Sequence, residues 1–333
     1  MADDLLPLSS GFPDATEAEW LASVDKVLKG RGIDSITRKT VDGLAIHPLY
    51  RESDFAAATD PLGTPGKAPY LRGATAAPDR FMPWDIRQAF AHPSPEVTNE
   101  ELLRDLERGV MSVELKLDCT GQHGIQITTL DDLRTALKGL RADIATIALD
   151  HGAGSGVMAA TLLGLWGQEQ DTPASLKFDF NMDPLGCLAR TGTLKGGLNA
   201  AFARLSAAAQ SLGEAYPEAG LVRIDARMVH EAGGSDAQEL AALIASAVDT
   251  LRRLDNRTDI SALIPRMSFA LALDGNYGLG VAKLRAARRL WARILDAMDH
   301  QAVPMRLQAV SSARILSRYD AWTNMLRNTA AAF

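Results

Sequence analysis

The sequence lacks the features that define several large protein classes. It has only 2 cysteines in 333 residues, Cys119 and Cys187, which lie far apart and outside any metal-ligand spacing. Neither a disulfide framework nor a zinc site is therefore expected. No window approaches the ~18 consecutive apolar residues of a membrane span, and the acidic start Met-Ala-Asp-Asp has no hydrophobic signal region. These absences predict a cytoplasmic protein with reduced thiols and no membrane partner.

An excess of positive charge is also lacking, since 35 Lys and Arg residues face 41 Asp and Glu residues. The formal net charge is −6 and the pI is near 5.6, which argues against nucleic acid or an anionic membrane as a partner. The hydrophobic fraction of 47% is typical of globular proteins, and a chain of this length can bury one large core or two small ones.

The common catalytic and nucleotide-binding motifs are missing. The chain has no G-x-x-x-x-G-K-[ST] loop, no G-x-S-x-G elbow and no H-x-x-x-H pair among its six histidines. Gly152, Gly154 and Gly156 approach a dinucleotide fingerprint, but the third glycine comes one residue too early. A tight turn between a strand and a helix is the preferred interpretation.

A regular alternation of strands and helices is present instead. The predicted strands are residues 110–117, 144–149, 175–180, 221–225, 267–273 and 305–310, and amphipathic helical patterns lie between or after them. Such βα units predict a parallel sheet, and six in succession favour an α/β (β/α)₈ TIM barrel that is incomplete. Residues 321–333 have a helical pattern that still runs at the last residue, so we expect the natural polypeptide to continue.

The N-terminal residues differ from this pattern. Thr16 and Glu19 form a capping box, and an amphipathic helix follows with Trp20 at its start and Gly30 at its end. We expect residues 1–67 to form an arm that packs on its own barrel or on a partner chain. Residues 68–333 would form the partial barrel.

A stiff extended segment, residues 68–90, joins the arm to the barrel. Its prolines and Gly73 hold it extended, and its poor alternation argues against a strand. We expect it to thread the βα units with Arg72 and Arg87 facing inward.

Acidic and polar residues follow almost every predicted strand, where barrel enzymes place their reactive groups. The positions are Asp118, Asp150-His151, Asp179-Phe180-Asn181, Asp225-Ala226-Arg227, Asp274-Gly275-Asn276 and Ser311-Ser312. These carboxylates could hold Mg²⁺, but capping of the following helices is the preferred interpretation.

Two further positions allow a functional and a structural interpretation. Lys283 opens a cationic helix stripe and could reach a phosphate, although such stripes are usually solvated. His230 and Glu231 follow the fourth strand and could form an acid–base pair, but a structural histidine is preferred.

Several segments together resemble one family, the adenosylcobalamin-dependent methylmalonyl-CoA mutases. They occur in family order and at family spacing: Pro69-Tyr-Leu-Arg-Gly73, Pro83-Trp-Asp-Ile-Arg-Gln88, Glu231-Ala-Gly233, Pro265-Arg-Met-Ser-Phe269, Ala282-Lys-Leu-Arg-Ala-Ala-Arg288 with Leu290-Trp-Ala292, and Asn324-Met-Leu-Arg-Asn-Thr329. The resemblance implies a (β/α)₈ barrel with a coenzyme A ester threaded along its axis, followed by a cobalamin-binding domain.

The departures from the family pattern imply a silent site. Ala89 stands where the family has a tyrosine between substrate and corrin, and Met228 stands where it has a histidine that hydrogen-bonds the thioester. The family's R-G-P-Y-x-T-M-Y is also replaced, from Arg72 to Asp79. No catalytic or cofactor-binding residue is therefore expected, and Arg72, Arg87, Gln88 and Lys283 would be relics of a substrate tunnel.

The family's cobalamin motif D-x-H-x-x-G is absent, so adenosylcobalamin is not expected to bind this chain. The sequence resembles the non-catalytic small subunit of the heterodimeric bacterial enzyme, including its N-terminal extension. The expected partner is the large catalytic subunit, which would interconvert methylmalonyl-CoA and succinyl-CoA. Two alternatives stay open: a Mg²⁺-dependent barrel lyase or hydrolase, and an active mutase half served by a separate cobalamin-binding chain.

Overall fold

The computed structural model of the chain describes residues 11, 15–51, 54, 62–77, 81, 83–118, 120–152, 154 and 156–332. The chain divides into two compact units, Met1–Thr59 and Asp60–Phe333. Cys119, Pro78 and Asp79 lie outside the described residues, whereas Cys187 is described and buried. No helix in the described ranges is long and apolar enough to cross a membrane.

The first unit, called here the N-terminal unit, contains helix α1 (Glu17–Leu28) and the two-residue strands β1 (Arg38–Lys39) and β2 (Ala45–Ile46). The predicted capping box is confirmed, because Thr16 Oγ1 accepts from Glu19 N and Glu19 Oε2 accepts from Thr16 N. Lys29 and Gly30 both take the left-handed conformation and end α1, as the glycine predicted.

The second unit, called here the half-barrel unit, is built on seven parallel strands in chain order. They are β3 (Arg87–Phe90), β4 (Ser112–Lys116), β5 (Thr146–Asp150), β6 (Phe178–Met182), β7 (Gly220–Asp225), β8 (Met267–Leu273) and β9 (Arg306–Ser311). The α/β fold class is confirmed, since a curled sheet of seven parallel strands is consistent with an incomplete (β/α)₈ TIM barrel.

Two details of the strand prediction were wrong. Residues 87–90 form β3 although the segment was expected not to be a strand, because Arg87–Phe90 pairs in register with Ser112–Leu115 of β4. The third predicted strand is shifted toward the C-terminus, so Asp179 lies inside β6 rather than at its end. Strand β3 has only four residues, Arg-Gln-Ala-Phe, and such a short segment gives too weak an alternation to be recognised locally.

Helices follow the strands and carry the apolar core on the outer face of the sheet. They are α2 (Pro95–Glu107), α3 (Leu130–Ala136), α4 (Val157–Gln168), α5 (Pro184–Thr191), α6 (Gly197–Ala215), α7 (Arg227–Glu231), α8 (Asp236–Leu254), α9 (Ile260–Leu263), α10 (Tyr277–Ala297) and α11 (Ala321–Ala332).

Alternation along β6 shows how the two faces of the sheet differ. Phe178, Phe180 and Met182 are buried in the apolar core, where Phe178 also contacts the ring of Tyr216. Asp179 and Asn181 point to the opposite face, since successive side chains of a strand alternate. The inner face of the sheet is therefore polar, and it is the face on which a barrel site would be built.

Candidate functional site

The inner face of the half-barrel carries two layers of paired charges. In the first layer Asp179 lies between two arginines: its Oδ2 is 2.7 Å from Arg87 Nη2 and its Oδ1 is 2.6 Å from Arg306 Nη2. Arg87 Nε also donates to Ser112 Oγ, which donates to Asp85. Burial alone would lower the pKa of Arg87, but the attraction of Asp179 outweighs it and raises that pKa. Arg87 therefore faces inward as predicted and is paired with Asp179.

The second layer joins Glu114, Arg223 and Gln308. Arg223 Nη2 lies 2.7 Å from Glu114 Oε1 and also donates to Gln308 Oε1, while Gln308 Nε2 donates to Glu114 Oε2 at 3.2 Å. Glu114 and Arg223 are both buried. A buried pair of this kind is costly to break, since the remaining charge would be left without a partner.

These contacts show that the sheet curls strongly. Strands β4 and β9 are separated by four others, so a flat sheet would hold them roughly 24 Å apart at ~4.8 Å per strand. Their side chains instead meet at 3.2 Å, through Gln308 and Glu114. The inward side chains of distant strands thus meet across the lumen and occupy it.

A third cluster lies at the carboxyl ends of β5 and β7. Arg227 Nη2 contacts Asp225 at 2.6 Å and Asp150 at 3.2 Å. Burial by itself would raise the pKa of both carboxyl groups, but Arg227, Arg223 and Arg190 together outweigh burial and lower both. Arg190 approaches Asp225 to 3.5 Å and donates from Nε to Gly152 O.

Asp183 is the exception in this third cluster. It is buried and caps α5 by accepting from Gly186 N through Oδ1, whereas Oδ2 has no hydrogen-bond partner in the described part of the chain. Burial raises the pKa of Asp183 to about 7, with the nearby Asp225 adding to the effect. Arg190, 4.0 Å away, is too distant to offset this.

The acids that follow the strands do not converge as a metal site would require. Asp118 accepts from the amides of Thr120 and His123, and Asp274 accepts from Asn276 N, so both stabilise turns. Asp150 and Asp225 pair with Arg227. The preferred capping interpretation therefore fits Asp118 and Asp274. The pairing of Asp150 and Asp225 with an arginine is a further role that the sequence did not predict.

One cluster of metal-ligand types does occur within the described ranges. His230, Asp236 and Glu239 place one ligand atom each within 4.8 Å of one another. The ammonium of Lys283 lies among them, 2.7 Å from Asp236 Oδ1 and 2.8 Å from Glu239 Oε2. Burial would lower the pKa of Lys283, but the two carboxylates outweigh it and raise that pKa. The ammonium of Lys283 thus provides the positive charge that balances these two carboxylates.

This geometry corrects the expectation for Lys283 and agrees with the preferred one for His230. Lys283 is buried between carboxylates and is neither a solvated stripe residue nor placed to reach a phosphate. His230 is also buried, with Nε2 2.8 Å from Ser312 Oγ and Nδ1 3.8 Å from Glu239 Oε2, so its contacts fit the structural interpretation.

The remaining predicted residues are dispersed. Ala89 lies on β3 with Arg87, on the inner face, and is exposed. Gln88 is exposed and donates to Ala89 O, and Met228 is half-buried on α7. Arg72 is exposed, and its place in a substrate tunnel stays a prediction.

Sequence reasoning missed most of the inner-face residues: Glu114, Arg223, Arg306 and Gln308. A usable signal existed, because charged side chains at alternate positions inside otherwise apolar strands, as in Ser-Val-Glu-Leu-Lys of β4, indicate a polar inner face. Which acid meets which arginine depends on the curl of the sheet, which no local pattern gives.

A second feature lies in the N-terminal unit. None of residues 15–51 is buried, although α1 presents Trp20, Leu21, Val24, Val27 and Leu28 along one side. Val41 and Leu44, between and beside the two short strands, are also well exposed. Apolar side chains spaced along one helix face without any buried residue are typical of an interaction surface.

Comparison with known proteins identifies relatives over nearly the whole chain. The family described as methylmalonyl-CoA mutase matches residues 39–333. The methylmalonyl-CoA mutase small subunit of Streptomyces virginiae is 37% identical over 341 residues, covering 99% of this chain and 53% of the relative. The small subunit of Propionibacterium freudenreichii subsp. shermanii is 31% identical over 350 residues, covering 99% and 52%.

A large subunit is also similar, but less so. The methylmalonyl-CoA mutase large subunit of Streptomyces virginiae is 27% identical over 353 residues, covering 99% of this chain and 48% of the relative. The chain spans about half the length of the curated relatives it matches.

Proposed function

The chain belongs to the methylmalonyl-CoA mutase family, and we propose that it acts there as a catalytically silent small subunit that stabilises a large catalytic subunit. In this proposal the large subunit interconverts methylmalonyl-CoA and succinyl-CoA, and the present chain contributes a folded scaffold and a contact surface.

The occupied lumen is the observation that carries the proposal. A coenzyme A ester threaded along the barrel axis would have to separate Arg223 from Glu114 and Gln308, and Asp179 from its two arginines. Separating a buried ion pair without replacing its partner costs about 3–5 kcal/mol. That cost applies to the buried pair of Arg223 and Glu114. The Asp179 layer adds a smaller cost, because the Arg306 side chain is 37% exposed and solvent screens its charge. The lumen is therefore a poor path for substrate.

The residues at the family's reactive positions support the same conclusion. Ala89 offers a methyl group in place of the tyrosine, and Met228 offers a thioether, which donates no proton. The loss of an aromatic ring and a hydrogen-bond donor should reduce the rate by ~10³ or more. We therefore propose no catalytic residue in this chain, and Arg72, Arg87, Gln88 and Lys283 as relics of a tunnel.

The histidines do not fit a cobalamin ligand. None of the six has Asp two positions earlier, and both buried ones use Nε2 within the fold, His151 toward Phe180 O and His230 toward Ser312 Oγ. The family uses adenosylcobalamin, and we propose that the partner subunit binds it.

The partner surface is proposed to include the N-terminal arm, residues 1–67, with residues 68–333 as the barrel homologue. The apolar side of α1 supports this assignment, since docking on a large subunit would cover Trp20 and Leu21. An obligate heterodimer should bury more than ~2,000 Å² in total. We place the complex in the cytoplasm, where the thiol of Cys187 would stay reduced.

The test is to assay the purified chain with adenosylcobalamin and methylmalonyl-CoA, alone and with the large subunit of the same source. We expect no turnover by the chain alone, a 1:1 complex on gel filtration, and turnover only when the large subunit is present. Turnover by the chain with adenosylcobalamin, or with a separate cobalamin-binding chain, would show that it is an active mutase half.

The Mg²⁺-dependent lyase or hydrolase gains no support from the geometry. The acids that would bind the metal are engaged by Arg227, by turn amides or by Lys283.

A further inference from the structure

We propose that a cavity at the amino ends of β7 and β8 binds a small organic monocarboxylate through the guanidinium of Arg266. The cavity lies between the C-terminal half of α6 and the segment that joins α8 to β8, and its volume is about 420 Å³. Small-molecule sites in proteins typically occupy ~300–1,000 Å³. A barrel site would lie at the opposite, carboxyl ends of the strands, so the proposed subunit role makes no use of this cavity.

The guanidinium of Arg266 borders the cavity. A Cβ built on Gly213, near the end of α6, would lie 2.8 Å from Arg266 Nη1 and 3.6 Å from Leu221 Cδ1. Gly213, Leu221 and Arg266 all line the cavity, so the space that a side chain at Gly213 would occupy is bounded by Nη1. A glycine at this position therefore lets the guanidinium lie against α6 at the wall of the cavity.

Arg266 forms no ion pair with any residue that the structure describes. It donates instead to three carbonyl oxygens at the end of α6: Nε to Ala219 O at 2.8 Å, Nη1 to Gly213 O at 3.2 Å and Nη2 to Tyr216 O at 2.5 Å. A guanidinium has five N–H groups, so one on each terminal nitrogen has no acceptor among these carbonyls. These two N–H groups are the donors that a ligand would meet.

The positive charge of Arg266 is only partly balanced. The carboxyl end of a helix carries the equivalent of roughly half a negative charge, which leaves the guanidinium with a net positive charge. Burial and the nearby charge of Arg306 lower the pKa of Arg266, and the attraction of Glu218 does not offset them. An anion in the cavity would supply the missing negative charge.

A second arginine lines the same cavity. Arg257 is exposed, and its side chain forms no hydrogen bond or ion pair with the residues that the structure describes. Its backbone is held in place, because Arg257 O accepts from Ser206 Oγ at 2.9 Å. The guanidinium of Arg257 can therefore turn toward an anion in the cavity.

The other lining groups determine which kind of anion fits. Glu214 and Asp259 also line the cavity, and Asp259 is the N-cap of α9. Two acids beside two arginines give little net charge, so a dianion such as a phosphate monoester is repelled more than a monocarboxylate. Leu221 and Leu263 are apolar parts of the wall and suit an organic body. A monocarboxylate is thus favoured, and a phosphate, including that of an acyl-CoA, is disfavoured.

Three probes that share a benzene ring test this assignment on the full chain: benzoate, benzamide and phenyl phosphate. Since hydrogen bonds to an ionised group are roughly twice as strong as neutral ones, benzoate should bind at least about tenfold tighter than benzamide at low salt. Phenyl phosphate should bind more weakly than benzoate, because its second charge meets the two acids. Ligand-observed NMR titrations measure the three dissociation constants.

A matched pair of glycine variants locates the binding. Gly213→Ala places a methyl group 2.8 Å from Arg266 Nη1 and displaces the guanidinium from the wall, so benzoate should bind more than about tenfold more weakly. Gly278→Ala, on α10, meets nothing within 4 Å of the new Cβ and should leave the affinity unchanged. Alanine is the better helix former, so both variants should fold, and circular dichroism checks this.

The second arginine is tested separately. Arg257→Ala should weaken benzoate by about threefold, whereas Arg252→Ala, at an exposed position of α8 outside the cavity lining, should have no effect. Equal affinities for benzoate and benzamide, tighter binding of phenyl phosphate than of benzoate, or unaltered binding to Gly213→Ala would each overturn the proposal. The mutase assay is unaffected by this result, so the two proposals fail independently.

Discussion

The N-terminal unit and the half-barrel unit place their apolar residues in opposite ways. The half-barrel unit buries a continuous core that includes Trp291, Phe178 and Tyr216, and it keeps its charges inside as matched pairs. The N-terminal unit buries none of residues 15–51 and leaves the apolar side of α1 open. Similar side chains thus have different energetic roles in the two units.

This difference indicates that the two units obtain their stability from different sources. A helix of 12 residues with no buried side chain is marginal in water, since propagation barely offsets nucleation. The half-barrel unit has its own core and needs no such help. Substitutions in the lumen should therefore change the free energy of unfolding, whereas substitutions in α1 should change affinity for a partner.

The largest expected effect comes from the lumen pair. Glu114→Ala leaves Arg223 buried without its carboxylate, which should lower the free energy of unfolding by about 3–5 kcal/mol. Urea titration followed by circular dichroism measures it. Asp143→Ala is the control, because its pair with Arg141 is exposed and its loss should hardly matter.

A further variant distinguishes pairing from packing. Replacing Glu114, Arg223 and Gln308 together by Leu removes the whole layer and should recover most of the loss, since apolar groups can replace a buried ion pair. If the triple variant is no more stable than Glu114→Ala, the layer is needed for its shape and our account of the lumen is wrong.

The next effect concerns pH and Asp183. Its pKa is raised to about 7 in the folded state, so between the unfolded value near 3.8 and pH 7 the folded chain holds a proton that the unfolded chain has lost. Stability therefore falls as pH rises through this window, by about 1.4 kcal/mol per pH unit, and is level above it. Asp183→Asn removes this dependence.

The measurement is the difference in free energy of unfolding between wild type and Asp183→Asn at pH 5 and pH 8. The free energy of unfolding of the variant, relative to that of wild type, should increase as pH rises. Burial also lowers the pKa of His151, which favours folding as pH rises from about 4 to 6.5, but this contribution occurs in both proteins and cancels. A constant difference between the two pH values would mean that Asp183 is ionised in the fold.

A smaller effect is expected at the exposed surface of α1. Trp20→Ala should weaken binding to the large subunit by roughly 30-fold, as truncation of a central interface aromatic does. It should leave the unfolding of the half-barrel unit unchanged. Isothermal titration with the large subunit checks this, and Lys26→Ala on the same helix serves as the control. Equal affinities of wild type and Trp20→Ala would exclude α1 from the interface.

Local sequence patterns predicted the elements of both units well. The capping box of Thr16, the glycine stop of α1 and five of the strand positions follow from short-range rules. Strand β3 was missed because a four-residue segment is stabilised by pairing with β4, not by its own alternation. The inner face was largely missed for a related reason, since Glu114 and Gln308 lie 194 positions apart and meet only when the sheet curls.

Lys283 shows the same limit of local sequence patterns, here for a helix. Its place near a helix start predicted a solvent-facing cation or a phosphate ligand, but helix packing turns it between Asp236 and Glu239. A helical pattern tells which residues share a face and does not tell which neighbouring helix carries acids. The strand–helix alternation predicted the incomplete barrel without the family resemblance, which then implied the same fold.

The smallest expected effect is confined to the start of α1. Thr16→Ala removes the hydroxyl that accepts a hydrogen bond from Glu19 N and donates one to Glu19 Oε2, so both bonds are lost. Amide hydrogen exchange of the isolated chain should speed up in α1 by about fivefold, as loss of an N-cap predicts, with no change in β4 to β7. Ser23→Ala, in the middle of α1, should leave α1 unchanged or slow its exchange, because alanine is the better helix former. If Thr16→Ala also quickened exchange in β4 to β7, the two units would unfold together. Their contrast would then describe where side chains are buried but would not describe where the stability of each unit arises.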